Sequence, residues 1–468
     1  MALVELLIVG GVATVVYGYD YLKSTVMKTP DENDIMTHKE LNTLKGNGVI
    51  LTKNVRLSEE QSNKHQLLIG PTGSKKSRTV IMPNLAKAEN CSIVCIDPSS
   101  ELEQETGMAL FRNGYSVKRF SFEDVENSVG FDPLANCENV DDVCKWMEVL
   151  LGTAYESYGS CDNNLGEFQT WIQRTAPLLK AFAIYNFYTK KYTFDEMIMR
   201  LMTERFLFKE VPRHLIPKEV LERGSTLQAS SSIELEILNS GVKEAIDMFN
   251  SFATIRGAET TVDCVRNVIT TAFQIFHESK VKAICRKKSI DFKQLRKTKT
   301  CLFLQVPENK STHYAPFVSV LLQQLTETLI DNHKGLRIQM YLDEFANIGK
   351  IPNICTTLTT CRKRNIGIMC CIQSINQLEM YGVNYKVLKE IFDSIIAMRG
   401  LKDSADYIAQ LVGDKRVKNN SDTTVKSLVI TPDEIKRIAD NQAILIVSNK
   451  RAVLDETLPY FSRRDVHA

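Results

Sequence analysis

Apolar residues occur along the chain in two alternating patterns, short continuous runs and longer segments with helical spacing. A short apolar run is typical of a strand that is buried on both faces, as in a parallel sheet covered by helices. The pattern therefore predicts an α/β protein with a largely parallel sheet. The predicted strands are Leu67 to Ile69, Ser92 to Ile96, Ser116 to Phe120, Cys301 to Val306, Ile338 to Leu342, Ile368 to Ile372, Ile395 to Met398 and Ala443 to Val447.

Strand-like runs are missing between Val140 and Arg266, where helical spacing takes over. We expect an inserted all-helical domain at residues 140–266. The domain that contains the sheet is then discontinuous in sequence and consists of residues 65–139 and 267–468. Residues 23–64, which are mostly polar, are predicted to form a linker with a small strand segment.

The segment from Leu3 to Tyr19 is almost entirely apolar, and Glu5 is its only charged residue. Its length of about 17 residues is the lower limit for a helix that crosses a bilayer. We predict that residues 1–22 are a single-pass transmembrane anchor and that the rest of the chain lies in the cytoplasm, because Lys23 and Lys28 follow the segment. The alternative is a buried helix or strand of a soluble core, since the segment is short and contains a charge.

The composition is that of an ordinary globular protein, with 468 residues of which 44% are hydrophobic and 24% charged. This length allows a large buried core and two or three domains. The formal net charge of +2 excludes the strongly basic proteins that coat nucleic acid, so any contact with DNA must be local. The 12 cysteines have neither the spacing of zinc sites nor the density of a secreted disulfide-rich protein, and we expect reduced, mostly buried thiols.

A loop with the pattern of a phosphate-binding site follows the first predicted strand and leads into a helical pattern. In such a loop the backbone N–H groups face the phosphates, Lys76 reaches the β- and γ-phosphates, and the Ser77 hydroxyl holds Mg²⁺. The sequence therefore predicts a P-loop NTPase that binds ATP and Mg²⁺. The loop consists of Gly70, Pro71, Thr72, Gly73, Ser74, Lys75, Lys76 and Ser77.

Lys75 departs from the P-loop pattern, which has glycine at this position. Glycine suits the position because the backbone passes close to the phosphates and adopts conformations that a Cβ atom disfavours. The backbone N–H of Lys75 is still present, so the departure concerns ATP turnover more than the fold. The alternatives are a nucleotide-binding protein with little hydrolysis and a turn between strand and helix that binds no nucleotide.

Further candidate residues follow two later strands. Asp343 and Glu344 come directly after an apolar strand, where Asp343 is the predicted Mg²⁺ ligand and Glu344 the predicted general base. Gln373 ends the next strand and is predicted to sense the γ-phosphate. Arg362, between these strands, is predicted to stabilise the transition-state charge from the same subunit or across a subunit interface. The alternative interpretation is that Arg362 lies in solvent at the end of a helix and takes no part in the reaction.

Five segments resemble motifs of the type IV coupling proteins of bacterial conjugation and type IV secretion, and they follow one another in the same order as in that family. The most specific segment begins at Leu342 and has the sequence Leu-Asp-Glu-Phe-Ala-Asn-Ile-Gly-Lys-Ile-Pro. The chain departs from the family pattern in having one candidate membrane helix where two are common, and in lacking the lysine of the Asp-Pro-Lys-Gly-Glu motif. The other segments are Gly70 to Ser77, Asp97 to Glu101, Phe131 to Leu134 and Gln373-Ser374.

The resemblance implies a RecA-like ATPase in the bacterial cell membrane that forms a ring, with a hexamer as the expected state. It implies that Asp97 lies close to the nucleotide and that the helical domain docks the substrate. The implied partners are single-stranded DNA, a relaxase or relaxosome, the ATPase of the type IV secretion channel, inner-membrane components and the membrane itself.

Two other functions are open from the sequence. One is a substrate receptor with little ATP hydrolysis, and the other is a DNA translocase for chromosome or plasmid segregation. The helical insertion and the long motif at Leu342 favour secretion over segregation. The basic run from Lys282 to Lys299 is either part of a DNA path or a solvated face.

Overall fold

The computed structural model describes residues 35–36, 38–158, 165–204, 207–208, 229–230, 232–255, 259–348, 351, 353–418 and 424–463. In this part of the chain one large sheet is covered by helices, and two further strand pairs stand apart from it. The strands are β1 (Gln66–Ile69), β2 (Cys91–Ile96), β3 (Ser116–Ser121), β4 (Leu207–Phe208), β5 (Ala229–Ser230), β6 (Thr300–Gln305), β7 (Arg337–Leu342), β8 (Ile366–Ile372), β9 (Ser394–Met398), β10 (Asp414–Lys418), β11 (Thr424–Leu428), β12 (Gln442–Val447) and β13 (Val453–Glu456).

The large sheet has nine strands in the order β13-β12-β9-β1-β8-β7-β2-β6-β3. Its neighbouring strands are parallel, except that β12 is antiparallel to both β9 and β13. Every residue of β1, β2, β6 and β8 is buried, which explains their continuous apolar sequences. The predicted α/β fold with a mostly parallel sheet is therefore confirmed.

Helices cover both faces of the sheet. On one face, α3 and α4 pack with residues 36–57 over a core that includes Leu68 and Ile93. On the other face, a larger core that includes Leu67 and Val94 contains residues of most of the remaining helices. The described helices are α1 (His38–Leu41), α2 (Glu59–Ser62), α3 (Met82–Ala86), α4 (Glu101–Arg112), α5 (Val140–Tyr158), α6 (Leu165–Thr189), α7 (Phe194–Thr203), α8 (Ser232–Leu238), α9 (Lys243–Ile255), α10 (Glu259–Ala272), α11 (Ser279–Arg286), α12 (Ser311–Asp331), α13 (Ile354–Lys363), α14 (Tyr385–Ile391), α15 (Ala405–Val412) and α16 (Pro432–Lys436).

The described chain between β3 and β6 is mainly helical and runs from α5 to α11. Phe182, Phe194, Phe249 and Phe252 are fully buried in it and belong to the same continuous core as the sheet residues. The two-residue strands β4 and β5 also lie in this region and pair with each other. The domain boundaries at residues 140 and 266 stay a prediction.

The eight predicted strands are all present, with ends that shift by no more than two residues. The hairpin β10-β11 and the edge strand β13 were not predicted. The small strand segment expected in residues 23–64 forms only single bridges in its described part, from Arg56 to Lys45 and to Ile50. The reason is that the N–H of Ile50 bonds the side chain of Asn84, so it is not free for a strand partner.

The predicted location, a single pass through the bacterial cell membrane with a cytoplasmic body, is contradicted. None of the helices within the described ranges is both long and apolar enough to cross a bilayer. The apolar stretches of the long helices α6 and α12 are interrupted by polar residues, such as Arg174 and Lys180 in α6 and Gln323 and Gln324 in α12. The predicted anchor, residues 1–22, lies outside the described residues.

His65 links three elements at the amino end of β1. It is 1% exposed, and its Nε2 lies 2.7 Å from the carbonyl oxygen of Leu358 in α13. Its Nδ1 accepts a hydrogen bond from the N–H of Ile368 in β8 at 3.1 Å, so Nε2 carries the proton of a neutral ring. Burial lowers the pKa of His65 to about 4; the hydrogen bond to Leu358 opposes this shift and the charge of Arg362 adds to it.

We predict that His65 makes the free energy of unfolding depend on pH between about 6.5 and about 4. In this window the unfolded chain binds a proton that the folded chain does not, so the contribution of His65 is full above pH 6.5 and is lost as the pH falls towards 4. The lost contribution is about 3 kcal/mol. Denaturant unfolding should show a smaller loss between these pH values for His65→Gln than for the parent.

The exposed His277 provides the matched control, and His277→Gln should keep the pH dependence of the parent. Asp97 and Asp132, whose pKa values burial raises to about 6, act in the opposite direction in every variant. Their contributions to the pH dependence of unfolding are the same in the parent and in each variant, so they cancel when the two are compared. Identical pH dependence in the parent and in His65→Gln would contradict the assignment.

Candidate nucleotide-binding site

The candidate site lies where the central strands end. Ile69 of β1 is level with Ile372 of β8, and Ile96 of β2 is level with Leu342 of β7. Because these strands are parallel and end within two residues of one another, the segments that follow them meet at one edge of the sheet. This edge therefore brings together the predicted loop after β1, the acidic pair after β7 and the glutamine after β8.

The predicted phosphate-binding loop after β1 contains two residues with left-handed backbone conformations. Gly73 and Lys75 both have positive φ angles, of 80° and 66°. The ammonium group of Lys76 is buried and donates a hydrogen bond to the carbonyl oxygen of Gly70 at 2.7 Å. Lys75 points into solvent, but its backbone adopts the left-handed conformation for which glycine is preferred. The replacement of the P-loop glycine by Lys75, which the sequence analysis linked to ATP turnover, thus falls at a position whose backbone conformation favours glycine.

Ser77 and Asp343 are the two predicted Mg²⁺ ligands, and they are in direct contact. The hydroxyl of Ser77 donates a hydrogen bond to Oδ2 of Asp343 at 2.8 Å. Asp343 is 8% exposed, and burial raises the pKa of its carboxyl group, with a further contribution from the charge of Glu344. Two oxygen ligands at this distance fit Mg²⁺, and a divalent cation there would favour the ionised carboxylate.

Glu344 contacts two other candidate residues. Its Oε2 accepts a hydrogen bond from Nε2 of Gln373 at 2.9 Å, and its Oε1 lies 3.6 Å from the ammonium group of Lys76. The φ angle of Glu344 is 50°, in the left-handed region that non-glycine residues rarely adopt. This turn directs the carboxylate towards the P-loop instead of continuing the line of β7. Glu344, Gln373 and Lys76 therefore form one group of side chains.

Asp97, which follows β2, holds the start of α4. Its two carboxylate oxygens accept hydrogen bonds from the N–H groups of Leu102 at 3.1 Å and Glu103 at 2.9 Å. Burial raises the pKa of Asp97 to about 6 although these hydrogen bonds oppose the shift, and the charge of Asp343 also contributes. Asp97 is thus near the predicted metal ligand, but its oxygens are occupied by the helix.

Arg362 lies at the opposite edge of the sheet. It is exposed near the end of α13, and its charge acts on His65 at the amino end of β1. The seven residues of β8 separate this edge from Gln373, a distance of about 20 Å at about 3.3 Å per residue. The structure therefore does not bring Arg362 together with the P-loop of its own subunit, and its action on a nucleotide across a subunit interface stays a prediction.

Arg399 and Arg78 were missed from the sequence, and Glu101 was noted only as the last residue of the motif that begins at Asp97. Arg399 follows β9, and its guanidinium lies 3.4 Å from the carbonyl oxygen of Gly73 and 2.9 Å from the carboxylate of Asp440. Arg78 pairs with Glu101 at 2.6 Å beside the loop. No signal in the sequence identifies β9 as the neighbour of β1, because strand order is a property of the fold.

An open depression with an empty volume of about 650 Å³ lies over the P-loop. Residues of the loop, including the buried Lys76, and the acidic Glu344 line one side of it. A phosphate group and a bound cation would meet donors and acceptors of the appropriate charge there. Its lining residues are Pro71, Thr72, Gly73, Ser74, Lys75, Lys76, Ser77, Arg78, Glu101 and Glu344.

The basic run from Lys282 to Lys299 mostly contacts the rest of the chain. The guanidinium of Arg296 is buried and donates hydrogen bonds to three backbone carbonyl groups, those of Leu329, Leu336 and Arg364. The run therefore offers few free charges to DNA. Other partners in the run are Asp195 for Arg286, the carbonyl groups of Glu126 and Ser128 for Lys287, Glu138 for Lys293 and the carbonyl group of Asn113 for Lys299.

Comparison with curated proteins identifies VirD4 proteins as relatives. The VirD4 protein of Rhizobium radiobacter is 21% identical over 435 residues, which cover 86% of this chain and 57% of the relative. The VirD4 protein of Agrobacterium fabrum is 22% identical over 437 residues, which cover 86% of this chain and 59% of the relative. The chain therefore spans less than two thirds of the length of these relatives.

The fold is similar to that of the plasmid coupling protein TrwB. The structure of TrwB with the GTP analogue GDPNP has a TM-score of 0.67 at 15% identity, and the match covers 90% of this chain and 92% of TrwB. The structure of TrwB with ADP and Mg²⁺ has a TM-score of 0.66 at 16% identity, covering 92% and 95%. At this level of identity the likeness shows that the chain shares the fold of TrwB.

The family can be assigned from the sequence match to a family model. The model described as "Type IV secretory system Conjugative DNA transfer" matches residues 24–468. This range includes the P-loop, the acidic pair and the helical region. The chain therefore belongs to the conjugative DNA transfer family of type IV secretion systems, the type IV coupling proteins.

Proposed function

We propose that this protein is an ATP-dependent coupling protein that drives a relaxase-DNA or protein substrate to a type IV secretion channel. The observation that carries the proposal is the contact between Ser77 and Asp343, whose side-chain oxygens lie 2.8 Å apart although the residues are 266 positions apart. It joins the P-loop to the acidic strand end, as ATP and Mg²⁺ binding requires. The solved complex of TrwB with ADP and Mg²⁺ supports the same ligands here.

The side chains around the depression suit phosphoryl transfer to water. We assign Lys76 to the β- and γ-phosphates and Ser77 and Asp343 to Mg²⁺, which would neutralise phosphate charge when bound. Glu344 is the general base for the attacking water. Gln373, whose amide reaches Glu344 at 2.9 Å, orients this carboxylate and senses the γ-phosphate. The backbone of Gly70 to Lys75 cradles the phosphates, and Asp97 supports the site by holding α4.

We further propose that the protein works as a ring, with a hexamer as the expected state. Arg362 is too far from the loop of its own subunit, whereas its exposed position would allow it to reach the nucleotide of a neighbour. Residues 140–266 are the proposed docking domain for the relaxase or relaxosome. Single-stranded DNA, the channel ATPase and inner-membrane components of the secretion system are the other proposed partners.

The alternative is a substrate receptor that binds nucleotide but hydrolyses little. It is favoured by one observation, the φ angle of 66° at Lys75. A Cβ atom in this conformation costs about 1 kcal/mol, which either loosens the loop or leaves fewer molecules in the phosphate-binding conformation. The ATP-driven coupling protein and the substrate receptor differ in the rate of ATP hydrolysis, whereas both bind nucleotide.

The main prediction is that single-stranded DNA stimulates ATP hydrolysis by the full chain. Glu344→Gln should lower turnover by at least about 100-fold because the general base is lost, while a fluorescent ATP analogue still binds. Lys76→Ala should lose both turnover and tight binding. Lys334→Ala, which removes an exposed lysine just before β7, at the edge of the sheet opposite the P-loop, is the matched control and should retain turnover. Unchanged turnover in Glu344→Gln would contradict the proposed mechanism.

A second prediction concerns the conformation of Lys75. Lys75→Gly should raise turnover several-fold because it removes the conformational penalty, whereas Lys75→Ala keeps the Cβ atom and should resemble the parent. The measurement is steady-state ATP hydrolysis beside nucleotide affinity. If only the glycine variant hydrolyses ATP, the receptor alternative holds for the natural chain.

A third prediction tests the action of Arg362 across an interface. Arg362→Ala and Lys76→Ala should each lose turnover, and an equimolar mixture should regain part of it. In a randomly mixed ring roughly a quarter of the interfaces combine an intact loop with an intact arginine. A mixture with no more activity than its separate components would argue against the assignment, as would full activity of Arg362→Ala alone.

A further inference from the structure

The helical segment that follows Gln373 begins with a capping box. The segment is Ile375–Asn384, and Ser374 is its N-cap residue. The Ser374 hydroxyl accepts a hydrogen bond from the backbone of the first turn, and the side chain of Gln377 accepts one from the backbone N–H of Ser374. These reciprocal bonds satisfy N–H groups that a helix start otherwise leaves without partners. The direction in which the segment leaves β8 is therefore fixed.

Gln377 also binds the backbone of Gln373, one residue before the cap. Its Oε1 accepts a hydrogen bond from the N–H of Gln373 at 2.7 Å, whereas the bond from the N–H of Ser374 is longer, at 3.4 Å. In an ordinary capping box this side chain binds the N-cap residue alone. The shorter bond of Gln377 is thus made to the residue whose side chain contacts Glu344.

The backbone on both sides of Gln373 is held as well. Ser404, which is 1% exposed just before α15, accepts a hydrogen bond from the N–H of Ile375 at 2.9 Å. In the other direction along the chain, the carbonyl oxygen of Ile372 accepts a hydrogen bond from the N–H of Gly70 at 3.0 Å. This turn is therefore tied to α15 on one side and to the P-loop on the other.

The side chain of Gln373 extends from this backbone to the proposed general base. Its Nε2 donates a hydrogen bond to Oε2 of Glu344 at 2.9 Å, and the other carboxylate oxygen lies 3.6 Å from the ammonium group of Lys76. A general base must lie within hydrogen-bond reach of the water that it activates. Because the glutamine side chain is long and flexible, a shift of its backbone would move the amide and, with it, the carboxylate.

The same segment supports the residue that follows Glu344. The rings of Phe345 and Tyr381 are stacked, with centroids 5.8 Å apart and an interplanar angle of 16°. Phe345 is fully buried and Tyr381 is 3% exposed, so this contact belongs to the core. One element, Ile375–Asn384, therefore fixes both partners of the hydrogen bond between Gln373 and Glu344.

We propose that Gln377 is a positioning residue for ATP hydrolysis: its side-chain oxygen fixes the backbone of Gln373, which in turn orients the carboxylate of Glu344 towards the attacking water. The described residues that line the depression do not include Gln377, so it acts through its neighbour. Catalytic groups must be held within about 0.5 Å of their productive geometry by such supporting hydrogen bonds. The inference rests on the proposed function and deepens it by one residue.

The test replaces Gln377 by methionine, which has a similar length but no amide oxygen. In the full chain with single-stranded DNA and Mg²⁺, Gln377→Met should lower kcat about tenfold, because the general base is less well placed. KM for ATP should change by less than about twofold, since the phosphate cradle is intact. Gln377→Glu keeps an acceptor oxygen at the same position and should recover most of the parent kcat.

Gln61 provides the matched control, because it occupies the same position in a second Ser-x-x-Gln capping box. Its Oε1 accepts a hydrogen bond from the N–H of Ser58 at 3.1 Å, at the start of α2. This box lies at the edge of the sheet opposite the P-loop, where Asn63 contacts Arg337 at the start of β7. Gln61→Met should lower the midpoint of thermal unfolding as Gln377→Met does, but should keep the parent kcat.

A second measurement requires no turnover. ADP with aluminium fluoride and Mg²⁺ imitates the phosphoryl group during its transfer, so its affinity depends on the groups around the attacking water. Gln377→Met should weaken this affinity at least about fivefold and leave the affinity for ADP alone unchanged. Gln61→Met should change neither affinity.

Three results would overturn the proposal. They are a parent-like kcat in Gln377→Met, an equal loss of kcat in Gln61→Met, and a loss in Gln377→Glu as large as that in Gln377→Met. If Gln377→Met does not fold, Gln377→Asn replaces it with the same expected loss, because its shorter side chain leaves the oxygen out of reach.

The two measurements separate this inference from the proposed function. A parent that binds ADP with aluminium fluoride but does not hydrolyse ATP would refute the proposed motor, and the affinities would then decide the role of Gln377. A parent that binds neither ADP nor its complex with aluminium fluoride would overturn both.

Discussion

The parallel direction and common register of the central strands are the constraint on which the site depends. β1 ends level with β8 and β2 ends level with β7, and these two pairs of adjacent strands end within two residues of each other, so the segments that follow them are delivered to one edge of the sheet. Ser77 and Asp343 meet there from distant parts of the sequence. A shift of β7 by one residue would turn its apolar side chains to the other face and carry Asp343 away from the loop.

Charged side chains of opposite sign lie close together at this edge, and most of them are buried. The ammonium group of Lys76 has a carbonyl oxygen at 2.7 Å and the carboxylate of Glu344 at 3.6 Å. Burial raises the pKa of both Asp97 and Asp343; the charge of Asp343 also raises the pKa of Asp97, and the charge of Glu344 that of Asp343. Isolated buried charges would be costly, and their mutual placement limits that cost. The same arrangement suits a ligand that brings phosphate and a cation together.

The side chains at the opposite edge of the sheet have a mainly structural role. There His65 joins β1, β8 and α13 through its neutral ring, and the buried guanidinium of Arg296 binds three backbone carbonyl groups. The basic run that contains Arg296 thereby stabilises the junction between the sheet and its helices. Arg362 is exposed at this edge, about one strand length from the P-loop of its own chain. Its chemistry therefore depends on how copies assemble.

The sequence by itself determined the elements whose signals are local. Continuous apolar runs identified eight strands because these strands are largely buried, and the pattern from Gly70 to Ser77 marked the loop after β1 as the candidate phosphate-binding turn because its chemistry is contained in consecutive residues. The order of motifs identified the family. Short or edge elements such as β13 were missed, since few of their residues show a distinctive pattern.

Only the tertiary structure decided which distant residues meet. Arg399 lies at the P-loop because β9 is the neighbour of β1, and Arg362 is excluded from it because α13 ends at the other edge. The left-handed φ angle of Lys75 and the hydrogen bond from Gln373 to Glu344 are likewise properties of the folded chain. The physical reason is that strand order and register set these distances, and neither is encoded in the local pattern of apolar and polar residues.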